Sequence, residues 1–321
     1  LAGPSALRGI RSSKIIPTIS YNTVDNPINP THGKSFFYSV GLEGGALQGN
    51  VNTIAHTFEA KYFRPMNKGR NVLGFRMLAA HAAGFGGIVL PPFNRFYLGG
   101  EDSVRGFDFF SISPWAFVAT SRRVQFSYLD PTRLDANGNP QIGVIQVPVL
   151  DYVATTPGGD TQAVTNLEYR IPIVGPVSMS FFLDLGLNGA LRRSQLQLDT
   201  QGINQLRQEF PLTKINNRLD LASGSNFRLR ASTGVEFVVQ LPIVNAPFRL
   251  YWAYNPLRYH RQILEPRGDF YISPQLQRLL PQGVLDAQIL PQLNATVSAD
   301  VHRGTPFEPL KTFRFTVSRT F

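Results

Sequence analysis

The chain has 321 residues with 24 Phe, 11 Tyr and 2 Trp, only 16% charged residues, and a formal net charge of +10. Low charge with many aromatics excludes a disordered chain. The lack of cysteine excludes a disulfide framework and thiolate metal sites, and no apolar run approaches the ~18 residues that a membrane helix needs. The basic residues are scattered and form no recognisable binding motif, so no nucleic-acid partner is expected. The opening residues, Leu1 to Ser5, have neither the basic start nor the apolar core of a signal peptide, so a removed leader or a larger precursor is expected.

Period-two alternation dominates the chain. In 35–43, Phe36, Tyr38, Val40 and Leu42 alternate with Phe37, Ser39, Gly41 and Glu43. In 54–62, Ile54, Phe58, Ala60 and Tyr62 share one face, with Thr57, Glu59 and Lys61 on the other. In 227–241 an apolar set including Leu229, Val235, Phe237 and Val239 opposes Arg228, Arg230, Ser232 and Glu236. In 247–255, Phe248, Leu250, Trp252 and Tyr254 alternate with Arg249, Tyr251, Ala253 and Asn255.

The pattern predicts nine strands, roughly 14–23, 34–45, 51–64, 71–83, 161–172, 177–189, 226–241, 247–259 and 311–321. Runs of about 9–14 residues suit a tilted bilayer crossing, whereas ordinary strands average ~5–6. Aromatics near the run ends (Tyr62, Phe63, Trp252, Tyr254) fit an interfacial girdle. Short turns at 24–33, 65–70, 173–176 and 242–246 alternate with long connections at 84–160, 190–225 and 260–310; 46–50 is the one short exception. This is the connectivity of an outer-membrane barrel. The expected fold is therefore all-β, a transmembrane antiparallel up-and-down β-barrel. Nine is an odd count, and an open sheet leaves two edges in lipid. The chain is thus expected to be the end of a larger barrel, or to lack a partner strand.

On this parity Phe237, Phe248, Leu250 and Val317 face acyl chains, while Arg249 and Arg314 face the lumen. Alanine at either arginine is expected to be much milder than a charge on the lipid face. Glu168 and Asp184 also point inward, from Leu167–Ile171 and Phe182–Gly186. A lumenal carboxylate favours a cation, and a guanidinium provides bidentate, charge-assisted bonds. The other reading makes these groups unrelated polar side chains in a wet pore.

The long connection after the fourth strand opens with Phe93 to Phe107, reading FNRFYLGGEDSVRGF. Its aromatic, Gly-Gly and Val-Arg-Gly-Phe segments resemble the sixth extracellular loop of the BamA/TamA assembly-factor family. Phe182, Asp184 and Gly186 are similar to that family's F-x-D-x-G strand, and Asp25–Gly33 to its Pro-Thr-x-Gly turn. The hairpin from Ser232 to Tyr254 is similar to the family's penultimate one. Phe313, Phe315, Val317 and the terminal Phe321 resemble the outer-membrane strand signal read by the assembly machinery.

The resemblance implies that Arg105, followed by Gly106 and Phe107, folds back into the lumen and contacts Glu168 and Asp184. It also implies that residues 1–321 are a single C-terminal β-barrel region beginning at about the eighth of sixteen strands. No POTRA domains are read in this chain. The expected location is the bacterial outer membrane, with the C-terminus towards the periplasm. The implied function is insertion and folding of barrel proteins through a seam at the last strand. The implied partners are outer-membrane lipids, unfolded outer-membrane protein substrates and candidate assembly lipoproteins. Two alternatives stand beside it: a polypeptide-translocating pore of the TamA or two-partner-secretion type, and a barrel that anchors a missing upstream domain.

Little else in the sequence suggests chemistry. His32, His56, His81, His260 and His302 have no metal-ligand spacing, and there is no nucleophile elbow or phosphate loop. No enzyme activity, cofactor or metal is expected. Asp135–Asn139 reads as a turn rather than a calcium loop. Residues 275–293 read as a short amphipathic helix, packing over the barrel mouth or contacting a partner.

Overall fold

The computed structural model describes residues 9–27, 29–240, 247–299, 303–304 and 307–317. Its strands are β1 (Lys14–Ile15), β2 (Thr18–Asn22), β3 (Gly33–Glu43), β4 (Thr53–Met66), β5 (Asn71–Gly84), β6 (Ala116–Leu134), β7 (Pro140–Thr155) and β8 (Thr161–Val174). They continue with β9 (Val177–Gly189), β10 (Asp220–Leu221), β11 (Arg230–Gln240), β12 (Pro247–Tyr254), β13 (Ile263–Leu264), β14 (Asp269–Phe270), β15 (Arg303–Gly304) and β16 (Lys311–Val317). The helices are α1 (Thr200–Glu209), α2 (Pro274–Arg278) and α3 (Leu290–Ala299).

One ten-stranded antiparallel sheet runs β1-β3-β4-β5-β8-β9-β11-β12-β16, with β2 also paired to β3. β1 and β2 share one side of β3, so the sheet is nine positions wide. The break between them falls at Ile16 and Pro17; proline has no backbone N–H to donate to the ladder, while the Pro17 carbonyl accepts from Val40 N at 3.1 Å. All nine expected strands are therefore present. The predicted seventh starts later, at Arg230, because Phe227 turns the chain with φ 50°. The eighth stops at Tyr254 rather than 259. The 242–246 turn and residues 318–321, including Phe321, lie outside the described residues. Among the described residues, the β1/β2 side and β16 do not pair with each other.

The sheet is polar inside and apolar outside. Along β12, Arg249, Tyr251 and Ala253 are buried while Leu250, Trp252 and Tyr254 are exposed. On β16, Phe313, Phe315 and Val317 are exposed, and the outward set continues through Phe237, Phe181, Leu183, Leu167 and Phe36. A soluble sandwich buries its apolar face; an outward apolar band around a polar interior is the membrane-barrel arrangement.

At the rim of short turns, the Asp25 carboxylate accepts from Thr31 N (2.9 Å), Thr31 Oγ1 (2.5 Å) and His32 N (3.2 Å). Slight burial acts to raise its pKa, but these bonds outweigh that and hold it well below the usual carboxylate range. A depressed carboxylate stabilises the fold above its unfolded pKa, and that contribution disappears as the pH falls through the lower folded value. The turn therefore keeps this support throughout the neutral range.

At the opposite rim the long connections carry strands and helices of their own. Residues 116–155 form a β6–β7 hairpin paired from Ala116 with Thr155 to Asp130 with Gln141. β10 and β14 extend it into a four-stranded sheet. Phe126, Val147 and Val149 on the hairpin pack with Ile289, Leu293 and Val297, while Leu150 joins Leu196, Ile203 and Phe210. Three long connections thus fold together into a cap. The helix expected in 275–293 is resolved into α2, a π-helical turn at Leu285–Ile289 and α3, and its apolar side packs on the hairpin. Asp135 forms a turn, its carboxylate accepting from Asn137 N and Asn139 N, both at 2.8 Å.

The parity has a measurable consequence. Leu250→Arg is expected to destabilise the barrel by about 2–4 kcal/mol if it lies near the midplane, and less towards an interface. Thr57→Arg, on the lumenal side of β4, should cost much less. Urea unfolding in lipid vesicles measures both, and equal losses on the two faces would overturn the assignment of inside and outside.

Candidate functional site

Residues 85–115 leave β5 and turn back against the inner wall. Phe96 bridges to Gly159, Leu98 to Ile112 and Gly100 to Val104. The tip is Val104, Arg105, Gly106 and Phe107, and all four are buried. Each has a distinct physical role.

Val104 presses on β9 at Gly186. A Cβ at Gly186 would lie 2.4 Å from Val104 Cγ2, so only glycine leaves room there. Phe107 packs with Leu98, Ile112 and Val164. Gly106 has φ +84°, and a Cβ there would stand 2.6 Å from Asn255 Oδ1 and 2.7 Å from Ala253 Cβ. Both the left-handed backbone and the crowding require glycine.

Arg105 is 1% exposed. Its Nε and Nη2 make a fork with Asp184, at 2.7 Å to Oδ2 and 2.7 Å to Oδ1. Nη1 donates to Glu168 Oε1 at 2.5 Å and to Glu236 Oε2 at 3.2 Å. Its backbone N also donates to Asp184, at 3.1 Å. The guanidinium lies 4.0 Å from the Phe182 ring centroid, a cation–π contact. Phe182, Asp184 and Gly186 are alternate residues of β9, and they meet Arg105 and Val104 as a row. The structure therefore brings Arg105, Gly106 and Phe107 together with Glu168 and Asp184.

The acids are shared with further cations. Glu168 Oε2 accepts from Arg170 Nε at 2.8 Å, and Glu236 accepts from Arg249 Nε at 2.8 Å and Nη2 at 3.1 Å. Arg105, Arg170 and Arg249 balance Glu168, Asp184 and Glu236, three charges of each sign. Asn166 Nδ2 donates to Asp184 Oδ1 at 2.9 Å and to the Ser103 carbonyl at 2.8 Å. The network crosses β8, β9, β11 and β12, and an unpaired buried charge in it would be costly.

The tip also reaches the last strand. The Gly106 carbonyl accepts from Thr312 Oγ1 at 2.8 Å and from Asn255 Nδ2 at 2.9 Å. Arg314 donates to Asp108, and Tyr251 donates its hydroxyl to Glu101 Oε1 at 3.0 Å. Phe313, Phe315 and Val317 point away from this site, on the exposed face of β16.

Glu236 and Arg249 were legible as inward-facing residues but not as members of the Arg105 network. Nothing in the sequence pattern specifies which lumenal groups converge across four strands. The expected mildness of Arg249→Ala is corrected here. Arg249 is 1% exposed and makes two bonds to Glu236, so alanine would leave this buried carboxylate with the longer bond from Arg105. Arg314 is a quarter exposed, and its ion pair is of the weaker, solvated kind.

Arg105→Ala is expected to destabilise the barrel by about 3–5 kcal/mol, because it leaves carboxylates buried without their partner. Arg105→Lys should recover only part of this, since an ammonium lacks the planar fork. A double-mutant cycle of Arg105→Ala with Asp184→Ala, read by urea unfolding, should show coupling well above 0.5 kcal/mol; strict additivity would remove the pair from the network.

A sequence model of the Omp85 superfamily domain matches residues 11–273, which include every member of the Arg105 network. Among solved structures, the crystal structure of BamA from Haemophilus ducreyi lacking POTRA domains 1–3 is similar in fold, with a TM-score of 0.50 at 20% sequence identity. The likeness covers 80% of this chain and 42% of that chain, so the present sequence spans less than half of that protein. The lumenal loop sits inside the matched region, and the polar-in, apolar-out sheet is the one that such a match requires: the chain belongs to the Omp85 superfamily and has the fold of an outer-membrane β-barrel.

Proposed function

We propose that this chain is the barrel region of an assembly factor that inserts and folds outer-membrane β-barrel proteins through a seam at its last strand. Omp85 proteins are non-enzymatic outer-membrane barrels that assemble or translocate polypeptides. The observation that supports assembly here is the face of β16: it pairs with β12 from Phe248 opposite Val317 to Tyr254 opposite Lys311 and turns Phe313, Phe315 and Val317 outward. A last strand with alternating outward aromatics suits β-augmentation at a seam: backbone bonds give affinity and alternate side chains give register.

A loop held by buried ion pairs lies against the inner wall beside this strand. In this proposal Arg105, Gly106 and Phe107, with Glu168 and Asp184, lock the loop to the wall, and the loop steadies β16 through Thr312 and Arg314. Phe313, Phe315, Val317 and Phe321 carry the terminal strand signal. The C-terminus and the 65–70 and 173–176 turns face the periplasm, and the cap faces outside. The substrates are unfolded outer-membrane proteins, and assembly lipoproteins are candidate partners.

Disulfide trapping tests the proposal. These 321 residues contain no cysteine, so Thr316→Cys in the full-length protein can be paired with a cysteine-scanned terminal strand of a folding barrel substrate. Register-specific adducts are expected. Arg314→Ala should lower their yield by at most about five-fold, because a solvated pair contributes roughly 0.2–1 kcal/mol. If no adduct forms, and depletion leaves barrel proteins at normal levels while an exported polypeptide accumulates in the periplasm, the translocating-pore reading replaces this one.

A further inference from the structure

The outer wall carries a polar row that neither the lumenal loop nor the proposed seam uses. Cross-strand register places Val40 opposite His56, His56 opposite His81, and His81 opposite Thr161, across β3, β4, β5 and β8. Tyr38 lies one step away on the same face. All four polar residues are half-buried, and they share the parity of outward Phe36, Leu42 and Met77. Apart from Tyr38, the rows on either side are apolar. Leu42, Ile54 and Ala83 lie towards the capped rim, and Phe58, Ala79 and Ala163 towards the other. The histidines are thus a polar island in the lipid-facing wall, where ionisable residues are costly and usually functional.

Both rings are fixed by their Nδ1 atoms. His56 Nδ1 is 2.9 Å from the Tyr38 hydroxyl, and the two rings stack at 6.3 Å. His81 Nδ1 is 2.8 Å from Thr161 Oγ1. Thr161 in turn donates its only hydroxyl proton to the buried Asp160 carboxylate, at 2.8 Å. Its oxygen must therefore accept from His81, which makes His81 Nδ1 a donor and leaves its Nε2 with a lone pair in the neutral ring. A Tyr38 hydroxyl that donates to His56 Nδ1 leaves an Nε2–H on that ring. Among the described residues neither Nε2 has a partner, and an unpaired polar atom facing hydrocarbon is costly.

We propose that Tyr38, His56 and His81 form a headgroup site on the outer wall that takes the phosphate of a membrane lipid. A phosphate monoester supplies what both rings lack. One of its oxygens accepts from His56 Nε2–H, and its own P–O–H group donates to His81 Nε2. A monoester keeps that proton in a substantial fraction near neutral pH, its second pKa being about 6. The acyl chains then lie over the small residues Ala79 and Ala163 beneath the pair. A transition metal would need lone pairs on both Nε2 atoms and further ligands, and no group of three metal-binding side chains occurs among the described residues.

The test uses the full-length protein with 15N-labelled histidine in dodecyl maltoside micelles, which contain no phosphate. The micelles are titrated with phosphatidic acid, with diacylglycerol of the same chains, and with inorganic phosphate. Phosphatidic acid should move the Nε2 resonances of His56 and His81, and should bind about ten-fold or more tightly than diacylglycerol, as a charge-assisted hydrogen bond implies. His56→Ala and His81→Ala should each abolish that preference, and Tyr38→Phe, which keeps the ring but loses the hydroxyl, should weaken it. The comparison of lipids on the unmodified protein stands even if a variant fails to fold. Equal binding of phosphatidic acid and diacylglycerol would overturn the site, and saturation by inorganic phosphate with no gain from the acyl chains would overturn its assignment to a lipid.

Discussion

A guanidinium buried against three carboxylates is the constraint around which the inside of this barrel is arranged. Arg105 cannot shed its charge, and Glu168, Asp184 and Glu236 are each at most 1% exposed at the side chain. Isolating any one of these groups in the lumen would cost more than the pair interactions recover. The network is therefore self-consistent only when complete, with the loop tip in place and Arg170 and Arg249 holding the outer oxygens of Glu168 and Glu236. This explains why the tip needs four particular residues rather than a cation alone. Val104 requires a wall with no Cβ at Gly186, Gly106 requires a left-handed turn, and Phe107 fills the apolar space beside the ion pairs.

The same sheet meets two opposite solvents. Its outer face is apolar because lipid surrounds it, and its inner face is polar because charges must be matched there. Side-chain alternation lets each strand satisfy both, and one slipped register would exchange the faces along the whole strand. The Arg105 network acts as a check on register. Glu168, Asp184 and Glu236 stand on three neighbouring strands, in three successive inward rows of the ladder: Glu168 opposite Phe182, Asp184 opposite Asn166 and Ser232, and Glu236 opposite Ser180. A shift of β9 by one residue would carry Asp184 to the lipid side and strand Arg105.

Period two made the nine sheet positions legible in the sequence, because every membrane strand is both long and two-faced. The loop tip and its two nearest acids were legible for another reason: a specific motif and inward parity pointed to the same residues. The β6–β7 hairpin was not legible as a pair of strands. Its inner face alternates in the same way, through Val124, Phe126 and Tyr128 and through Ile145, Val147 and Val149, but it is interrupted by Pro131, Pro140 and Pro148. Those prolines read as loop punctuation, and only the packing of α3 and the π-helical turn on Val147 and Val149 decides otherwise. Glu236 and Arg249 were hidden because convergence across strands depends on barrel curvature, which no local pattern encodes.

The loop is attached to the wall unevenly, and the gradient runs towards the last strand. It is bonded to β8, β9, β11 and β12 through Arg105 and its neighbours, and to β16 through Thr312 and Arg314. The bonds grow weaker towards the edge, from a buried guanidinium fork at Asp184 to a neutral hydroxyl contact at Gly106 and a half-solvated pair at Asp108. Under the proposed function, strong attachment at the wall and light attachment at the last strand would let β16 move with an incoming strand while the lumenal core stays assembled. A uniformly strong lock would hold the edge rigid, and a uniformly weak one would release the loop and leave the three carboxylates unpaired.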